Sequence, residues 1–148
     1  MIRVSVQHQG FDISAETAAL EAAGVGAVAS FCGIVRGGDG VTAIELEHYP
    51  GMTEASLREI CDMAVERWGL AGCTIIHRIG RMELGEAIVL VVTASAHRAA
   101  ALEACAFLID RLKTDAPFWK REFRGGAAQW VEQKASDIER GSEWDGRA

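Results

Sequence analysis

The sequence predicts an α+β fold with a mostly antiparallel sheet and flanking helices. Strand-like and helix-like segments follow one another in the order β-α-β-β-α-β-β-α-β-β. Pairs of consecutive strands interrupt the strict alternation that a doubly wound parallel sheet requires. The 148 residues have the size of one domain. We therefore expect a single domain over residues 1–135 and a polar C-terminal tail over 136–148.

The first half of the chain predicts a strand, a short helix and a hairpin. Residues 2–8 alternate between apolar and polar side chains, which is typical of a half-buried strand. Ser14 can cap a helix over 15–23. Residues 25–35 and 41–49 are apolar strand-like runs joined by a glycine-rich turn, a pattern that predicts a hairpin.

A longer amphipathic helix follows, with Thr53 as its predicted cap and Gly69 as its predicted end. Its apolar residues recur every three or four positions, so they line one face of a helix of about four turns. These residues are Leu57, Ile60, Cys61, Ala64, Val65 and Trp68.

The second half of the chain predicts four strands and one further helix. Apolar runs bounded by glycines are typical of strands. Ser95 can cap a helix that continues to about Lys113, and Pro117 prevents its continuation. The predicted strands cover residues 73–79, 86–94, 118–123 and 127–133, the last two forming a hairpin.

Composition and charge argue against several classes of protein. The net charge of −6 argues against a protein that binds duplex DNA mainly through charge. The longest apolar run, 87–94, has the length of a strand rather than of a membrane span. The N-terminus lacks the layout of a signal peptide. We therefore expect a globular protein of the cytoplasm.

Cysteine and histidine spacing predicts neither disulfides nor a metal centre. The four cysteines include no C-x-x-C pair, and the four histidines are scattered along the chain. Zinc sites usually show closely paired ligands. Isolated cysteines in apolar stretches usually behave as small core residues. A reducing compartment is therefore expected, with no metal.

The start of the third helix is the first candidate binding site. Its unpaired N–H groups and the helix dipole favour an anion. His97 and Arg98 oppose that dipole, so they make more sense beside a docked anion such as a phosphate. The alternative is that both are solvated charges at a helix end.

A second candidate site is the segment from Lys113 to Glu122. The chain has twelve arginines and only three lysines, and two of those lysines are Lys113 and Lys120. In an alternating strand Phe118 and Lys120 share one face, whereas Trp119 and Arg121 share the other. A lysine beside an aromatic ring can lose part of its hydration, which suits it to proton transfer.

Charge and helix geometry leave two interpretations of this segment open. Residues 97–124 carry a net charge of +2, so the rest of the chain carries −8. A basic region in an acidic protein would suit an anionic small molecule. Alternatively, Lys113 is simply a cation placed favourably at a helix C-terminus, and Phe118 and Trp119 belong to the core.

Three further segments carry weaker signals. Arg36 ends the second strand and offers a planar fork for phosphate, although such an arginine is more often solvated. His48 and Tyr49 are candidate binding residues, but they precede a Pro-Gly turn. We expect this segment to form a turn and a helix cap rather than a binding site. His77 lies in an alternating strand, which favours a structural or interfacial role.

Four motifs in one order and register resemble a known family. They are EHYPGMT (47–53), HRIG (77–80), SAHR (95–98) and KTDAPFWKRE (113–122), with F-x-G-x-V-R at 31–36. Together they are similar to the catalytic (large) subunit of molybdopterin synthase, over residues 25 to about 134.

The resemblance implies a fold, an activity and a set of partners. The fold would be the α+β hammerhead fold of that family, and the catalytic domain would form a homodimer. Each copy would hold a small ubiquitin-like subunit whose C-terminal Gly-Gly carries a thiocarboxylate, giving a heterotetramer. Sulfur from that group would pass to cyclic pyranopterin monophosphate (precursor Z) to make the dithiolene of molybdopterin, without a metal or other cofactor.

The resemblance also implies roles for particular residues. The catalytic lysines fall on Lys113 and Lys120, and we expect the two amines to share a pocket beside the helix start. Close ammonium groups disfavour each other's charge, so at least one lysine should have a lowered pKa. Ile34 stands where the family often has a basic residue. The substrate-binding positions fall on Arg36, His97, Arg98, Lys113, Lys120, Arg121 and Glu122.

Two other functions remain open from the residues alone. One is a non-catalytic module that binds a ubiquitin-like tail, which predicts that both lysines can be replaced with little loss. The other is an unrelated phosphate-ester or nucleotide enzyme. The sequence has no glycine-rich phosphate loop and no acidic metal cluster, which counts against the second alternative.

Overall fold

The computed structural model describes residues 1–131 and 144–146. The helices are α1 (Ile13–Ala18), α2 (Met52–Trp68) and α3 (Arg98–Asp115), and Trp144–Gly146 form a 3₁₀ turn. The strands are β1 (Ile2–Gln7), β2 (Ala27–Ile34), β3 (Val41–His48), β4 (Gly72–Arg78), β5 (Gly80–Glu83), β6 (Ala87–Ser95), β7 (Phe118–Arg124) and β8 (Ala127–Val131).

The strands form two four-stranded sheets. The first sheet has the order β1-β4-β6-β2, and its only parallel pair among the described strands is β1 with β4. The second sheet has the order β5-β3-β7-β8 and is antiparallel throughout. The predicted α+β class with mostly antiparallel strands is therefore confirmed, with two sheets in place of one.

The central strand β6 is buried on both faces, which explains its apolar run over residues 87–92. Val89 and Val91 pack against the core beneath α2 and α3. Leu90 and Val92 point to the opposite face, where they meet Leu20. A third apolar cluster belongs to the second sheet, and Val35, Val41, Ile44, Leu46 and Met82 form it.

The predicted hairpin between the second and third strands is wrong. β2 pairs with β6 in the first sheet, whereas β3 pairs with β5 and β7 in the second. The sequence predicts a turn where β5 lies, because four residues between two glycines are typical of a turn. By contrast, β7 and β8 form the predicted hairpin around Gly125 and Gly126.

The helices have the predicted order but different N-terminal caps. Asp12 caps α1, its carboxylate accepting a hydrogen bond from the Ala15 N–H at 3.0 Å. Gly51 precedes α2, which ends at Gly69 as predicted. His97 takes the cap position of α3, while the Ser95 hydroxyl accepts a hydrogen bond from the His97 N–H at 3.3 Å.

The described part of the C-terminal tail contacts the helices. The Trp144 ring is buried and lies edge-on to Phe107, with 5.5 Å between ring centroids. Its indole N–H donates to an Asp110 carboxylate oxygen at 2.7 Å. Residues 132–143 and 147–148 lie outside the described part of the chain, so the boundary at residue 135 stays a prediction.

Two further features concern only the residues that the structure describes. None of their helices is long and apolar enough to cross a membrane. Within the same ranges, no three His, Cys, Asp or Glu side chains are grouped so that they could hold a metal ion.

Candidate active site

A pocket of about 430 Å³ opens between the C-terminal end of α3 and the inner face of the second sheet. That volume is in the range of small-molecule sites. Its apolar wall comes from Ile44, Leu46, Ile88, Leu112 and Val131. Its polar and aromatic wall comes from His77, Lys113, Thr114, Asp115, Phe118 and Lys120.

Both candidate lysines line this pocket. Lys113 lies in the last turn of α3, and Pro117 then turns the chain into β7. Alternation along β7 places Phe118 and Lys120 on the pocket side, as predicted from the sequence. The Lys120 ammonium lies 3.7 Å from a carboxylate oxygen of Glu122 on the same side of the strand.

Thr53 holds the turn that separates the two lysines. Its buried hydroxyl donates to the Pro117 carbonyl at 3.1 Å and accepts from the Tyr49 N–H at 3.1 Å. The expected cap role of Thr53 is therefore wrong, because the hydroxyl joins the start of α2 to the pocket turn. The EHYPGMT motif thus supports the pocket without lining it.

His77 lines the pocket, although its position in an alternating strand predicts only a structural or interfacial role. It is 3% exposed, and its ring stacks on Phe118 with centroids 3.9 Å apart. The Nδ1 atom lies 2.9 Å from the Arg78 carbonyl oxygen. Burial, and to a smaller extent the positive charge of Lys113, lower the pKa of His77 to about 3. The HRIG motif contained this residue, but no local pattern could place it beside Lys113.

The neutral state of His77 predicts a pH-dependent stability. The unfolded chain binds a proton at this residue near pH 6.5, whereas the folded chain does so only near pH 3. The contribution of neutral His77 to the free energy of unfolding is therefore fully present above pH 6.5. It is lost as the pH falls from 6.5 toward 3. Between pH 7 and pH 5 the free energy of unfolding should drop by about 2 kcal/mol through His77.

Urea unfolding at several pH values measures this effect. The His77→Gln variant should lose that part of the pH dependence, whereas His97→Gln, which changes an exposed histidine, should keep it. Parallel profiles for wild type and His77→Gln would contradict the neutral assignment.

Arg121 lies on the opposite face of the second sheet from Lys120. Its guanidinium pairs with Glu45 and lies over the Trp130 ring, 5.2 Å from the centroid. Glu122 shares the Lys120 side and also accepts from Arg124 at 2.9 Å. The structure therefore brings Glu122 close to the pocket through Lys120, but not Arg121.

The other expected anion-binding residues lie away from this pocket within one chain. Arg98 begins α3 and Lys113 is fifteen residues further along it, a separation of about 22 Å along the helix axis. His97 and Arg98 are both exposed. Arg36 is also exposed and follows Val35, which packs in the same cluster as Ile44 and Leu46 of the pocket wall.

The fold and the pocket define a class of protein: a two-sheet α+β domain in which two lysines line one open pocket. A sequence model described as MoaE protein matches residues 6–115. The chain belongs to this family.

Three similar proteins illustrate the match. The molybdopterin synthase catalytic subunit of Mesorhizobium japonicum is 54% identical, over 95% of this chain and 92% of that protein. The structure of molybdopterin cofactor biosynthesis protein E from Burkholderia multivorans has a TM-score of 0.85 and 42% identity, over 100% of this chain and 99% of that one. A complex of subunits 1 and 2 of molybdopterin-converting factor from Helicobacter pylori contains a chain with the same fold. The TM-score is 0.75 and the identity is 21%, over 90% of this chain and 91% of that one.

Proposed function

We propose that this chain is the catalytic subunit of a molybdopterin synthase and that it acts as a sulfurtransferase. It takes one sulfur atom from each of two thiocarboxylated copies of a small ubiquitin-like partner and delivers both to cyclic pyranopterin monophosphate, forming the dithiolene of molybdopterin. The observation that carries this proposal is the convergence of Lys113 and Lys120 on one pocket. The name of the Mesorhizobium relative, a catalytic subunit of this enzyme, agrees with it.

The chemistry of the transfer requires groups that lysine can supply. In each transfer the sulfur replaces an oxygen substituent on a carbon of the pterin side chain, and that oxygen leaves as water or with the phosphate. The partner's C-terminal carbonyl is then held as a thioester. Attack of water on that carbonyl gives a tetrahedral oxyanion, and its collapse releases the partner as a carboxylate. A neutral amine can accept the proton from water, and an ammonium can stabilise the oxyanion. Arginine can supply only the positive charge.

The shape of the pocket suits a thin peptide end. The pocket is open to solvent and combines an apolar wall with the two lysines. A Gly-Gly terminus has no side chains, so it can approach the turn at Pro117 closely. A bulkier C-terminus would meet Phe118 and His77, which are stacked on each other.

The expected contacts of His97 and Arg98 with the substrate phosphate require a second copy of the chain. Arg98 lies about 22 Å from Lys113 along α3, which is too far for both to contact one small molecule within a single chain. We therefore place His97 and Arg98 of one copy at the pocket of the other, in a homodimer that binds two small subunits. Arg36 and Glu122 complete the substrate site in this proposal.

Mixing two inactive variants tests the shared site. Lys113→Ala and Arg98→Ala each remove one half of it, so each homodimer should be nearly inactive. In a mixed dimer one site combines both changes and the other has neither. Random exchange should therefore restore about a quarter of wild-type activity.

A measurement of the oligomeric state accompanies the mixing experiment. Light scattering should give about twice the chain mass of 15.9 kDa. If each chain builds a complete site alone, mixing will restore nothing, and a stable monomer at micromolar concentration would argue against the shared site as well.

The function is tested by reconstitution. The purified chain, a thiocarboxylated small partner and precursor Z should together form the dithiolene, and omission of any one should abolish it. A non-catalytic module would bind the partner without forming product. In the proposed setting the protein works in the cytoplasm, without a metal or other cofactor of its own.

A further inference from the structure

His77 is a buried titratable group of the pocket and has no role in the sulfur transfer proposed above. It lies on β4, and alternation along the strand places it on the same side as Cys73 and Ile75, beneath the helices. Its ring lines the pocket together with Lys113. The last turn of α3 and a buried imidazole therefore line the same pocket.

The imidazole has a defined tautomer and orientation. A carbonyl oxygen can only accept a hydrogen bond, so the Nδ1 atom that contacts the Arg78 carbonyl carries the proton. The Nε2 atom then has a free lone pair and no proton. Because Nδ1 faces the backbone of its own strand, the Nε2 edge projects away from β4. Stacking on Phe118, with ring centroids 3.9 Å apart, favours this orientation of the ring.

We propose that His77 is a positioning residue for Lys113, and that its Nε2 atom accepts a hydrogen bond from the Lys113 ε-amino group inside the pocket. The contact would hold the amine at one place in the pocket, in the direction of Lys120. The catalytic part of this role rests on the proposed function, whereas the contact itself does not.

The charges around the pocket favour a neutral hydrogen-bond acceptor, rather than a cation, beside Lys113. Lys120, Asp115 and Lys113 itself line the pocket, and Glu122 lies beside Lys120. A protonated histidine would add a third positive charge and repel Lys113. A neutral acceptor instead stabilises the Lys113 ammonium without adding charge, so removing the acceptor should lower the pKa of Lys113.

Three substitutions distinguish the role of the His77 Nδ1 atom from that of the Nε2 atom. His77→Gln can place an oxygen acceptor near the Nε2 position, whereas His77→Asn keeps a donor near the Nδ1 position and has no acceptor at the other end. His77→Phe keeps a ring to stack on Phe118 and has neither nitrogen. Circular dichroism identifies the variants that fold, and either His77→Asn or His77→Phe suffices as the variant without the acceptor.

The first readout is the titration of Lys113 by NMR with lysine labelled at the ε-carbon. The chain has only three lysines, so single Lys→Arg variants assign the signals. A lost hydrogen bond to an ammonium should lower the pKa of Lys113 by at least about one unit in His77→Phe or His77→Asn. The His77→Gln variant should stay close to wild type. An unchanged Lys113 titration in the variants without the acceptor would overturn the proposal.

The second readout is the kinetics of sulfur transfer. The variants without the acceptor should lose about 10- to 100-fold in kcat with little change in KM for precursor Z, and the pH profile of kcat should move with the Lys113 titration. His77→Gln should recover most of the rate. Equal losses in His77→Gln and His77→Phe would show that His77 serves only packing. If the wild type forms no dithiolene, the proposed function fails, while the NMR titration still decides whether the contact exists.

Discussion

Replacing Lys113 with alanine is expected to lower the turnover of dithiolene formation by at least about 100-fold. Lys113 lies at the end of α3, where the pocket, the Pro117 turn and His77 meet. Its loss removes the group that we assign to proton transfer or to stabilisation of the oxyanion. Single-turnover assays with a thiocarboxylated partner measure the change. Circular dichroism and partner binding should remain close to wild type.

The Lys113→Arg variant decides which of these two roles Lys113 has. Arginine keeps the positive charge but does not release its proton at working pH, and its planar group needs more space. If a neutral amine is required, Lys113→Arg should be nearly as slow as Lys113→Ala. Near-normal turnover in Lys113→Arg would refute the proton-transfer role and leave an electrostatic one.

Replacing Lys120 with alanine should also impair turnover, by a factor comparable to or smaller than that of Lys113→Ala. Lys120 lines the pocket from β7, and its ammonium lies 3.7 Å from Glu122, which holds it on the pocket side. The loss should appear mainly in kcat if the ammonium acts on the oxyanion. Lys120→Arg should recover part of the rate, since a charge remains at this position.

Arg121→Gln is the matched control for Lys120→Ala. The two positions are adjacent on one strand but lie on opposite faces of the sheet. Arg121 pairs with Glu45 and contacts Trp130 outside the pocket. We expect less than a threefold change in kcat/KM for Arg121→Gln. A loss equal to that of Lys120→Ala would mean that a second copy brings the outer face of the sheet into the site.

Local patterns in the sequence were sufficient for the secondary structure and for the direction of single side chains. Alternation in β7 placed Phe118 and Lys120 together because successive side chains of a strand point to opposite faces. Pro117 ended α3 within two residues of the predicted position, since proline cannot donate the next helical hydrogen bond. The four motifs in register indicated the family, and the family match confirms it.

The pairing of the strands cannot be inferred from local sequence patterns. The sequence joined the second and third strands as a hairpin because they are neighbours along the chain, yet β2 and β3 lie in different sheets. Pairing depends on which apolar faces can be buried together and on hydrogen bonds to strands far away in the sequence. β2 contacts β6 about sixty residues later, and no local periodicity encodes that partner.

The residues of the pocket were likewise only partly predictable from local sequence patterns. Local sequence patterns indicate that Lys113 and Lys120 flank a proline turn and that Arg121 points away from Lys120. The folded chain also places His77 in the pocket, whereas alternation along its strand predicts only a structural or interfacial role. It also separated Lys113 from Arg98 by the length of α3. The physical reason is that periodicity specifies the face of an element on which a side chain lies, whereas the distance between two elements depends on how their buried faces pack together.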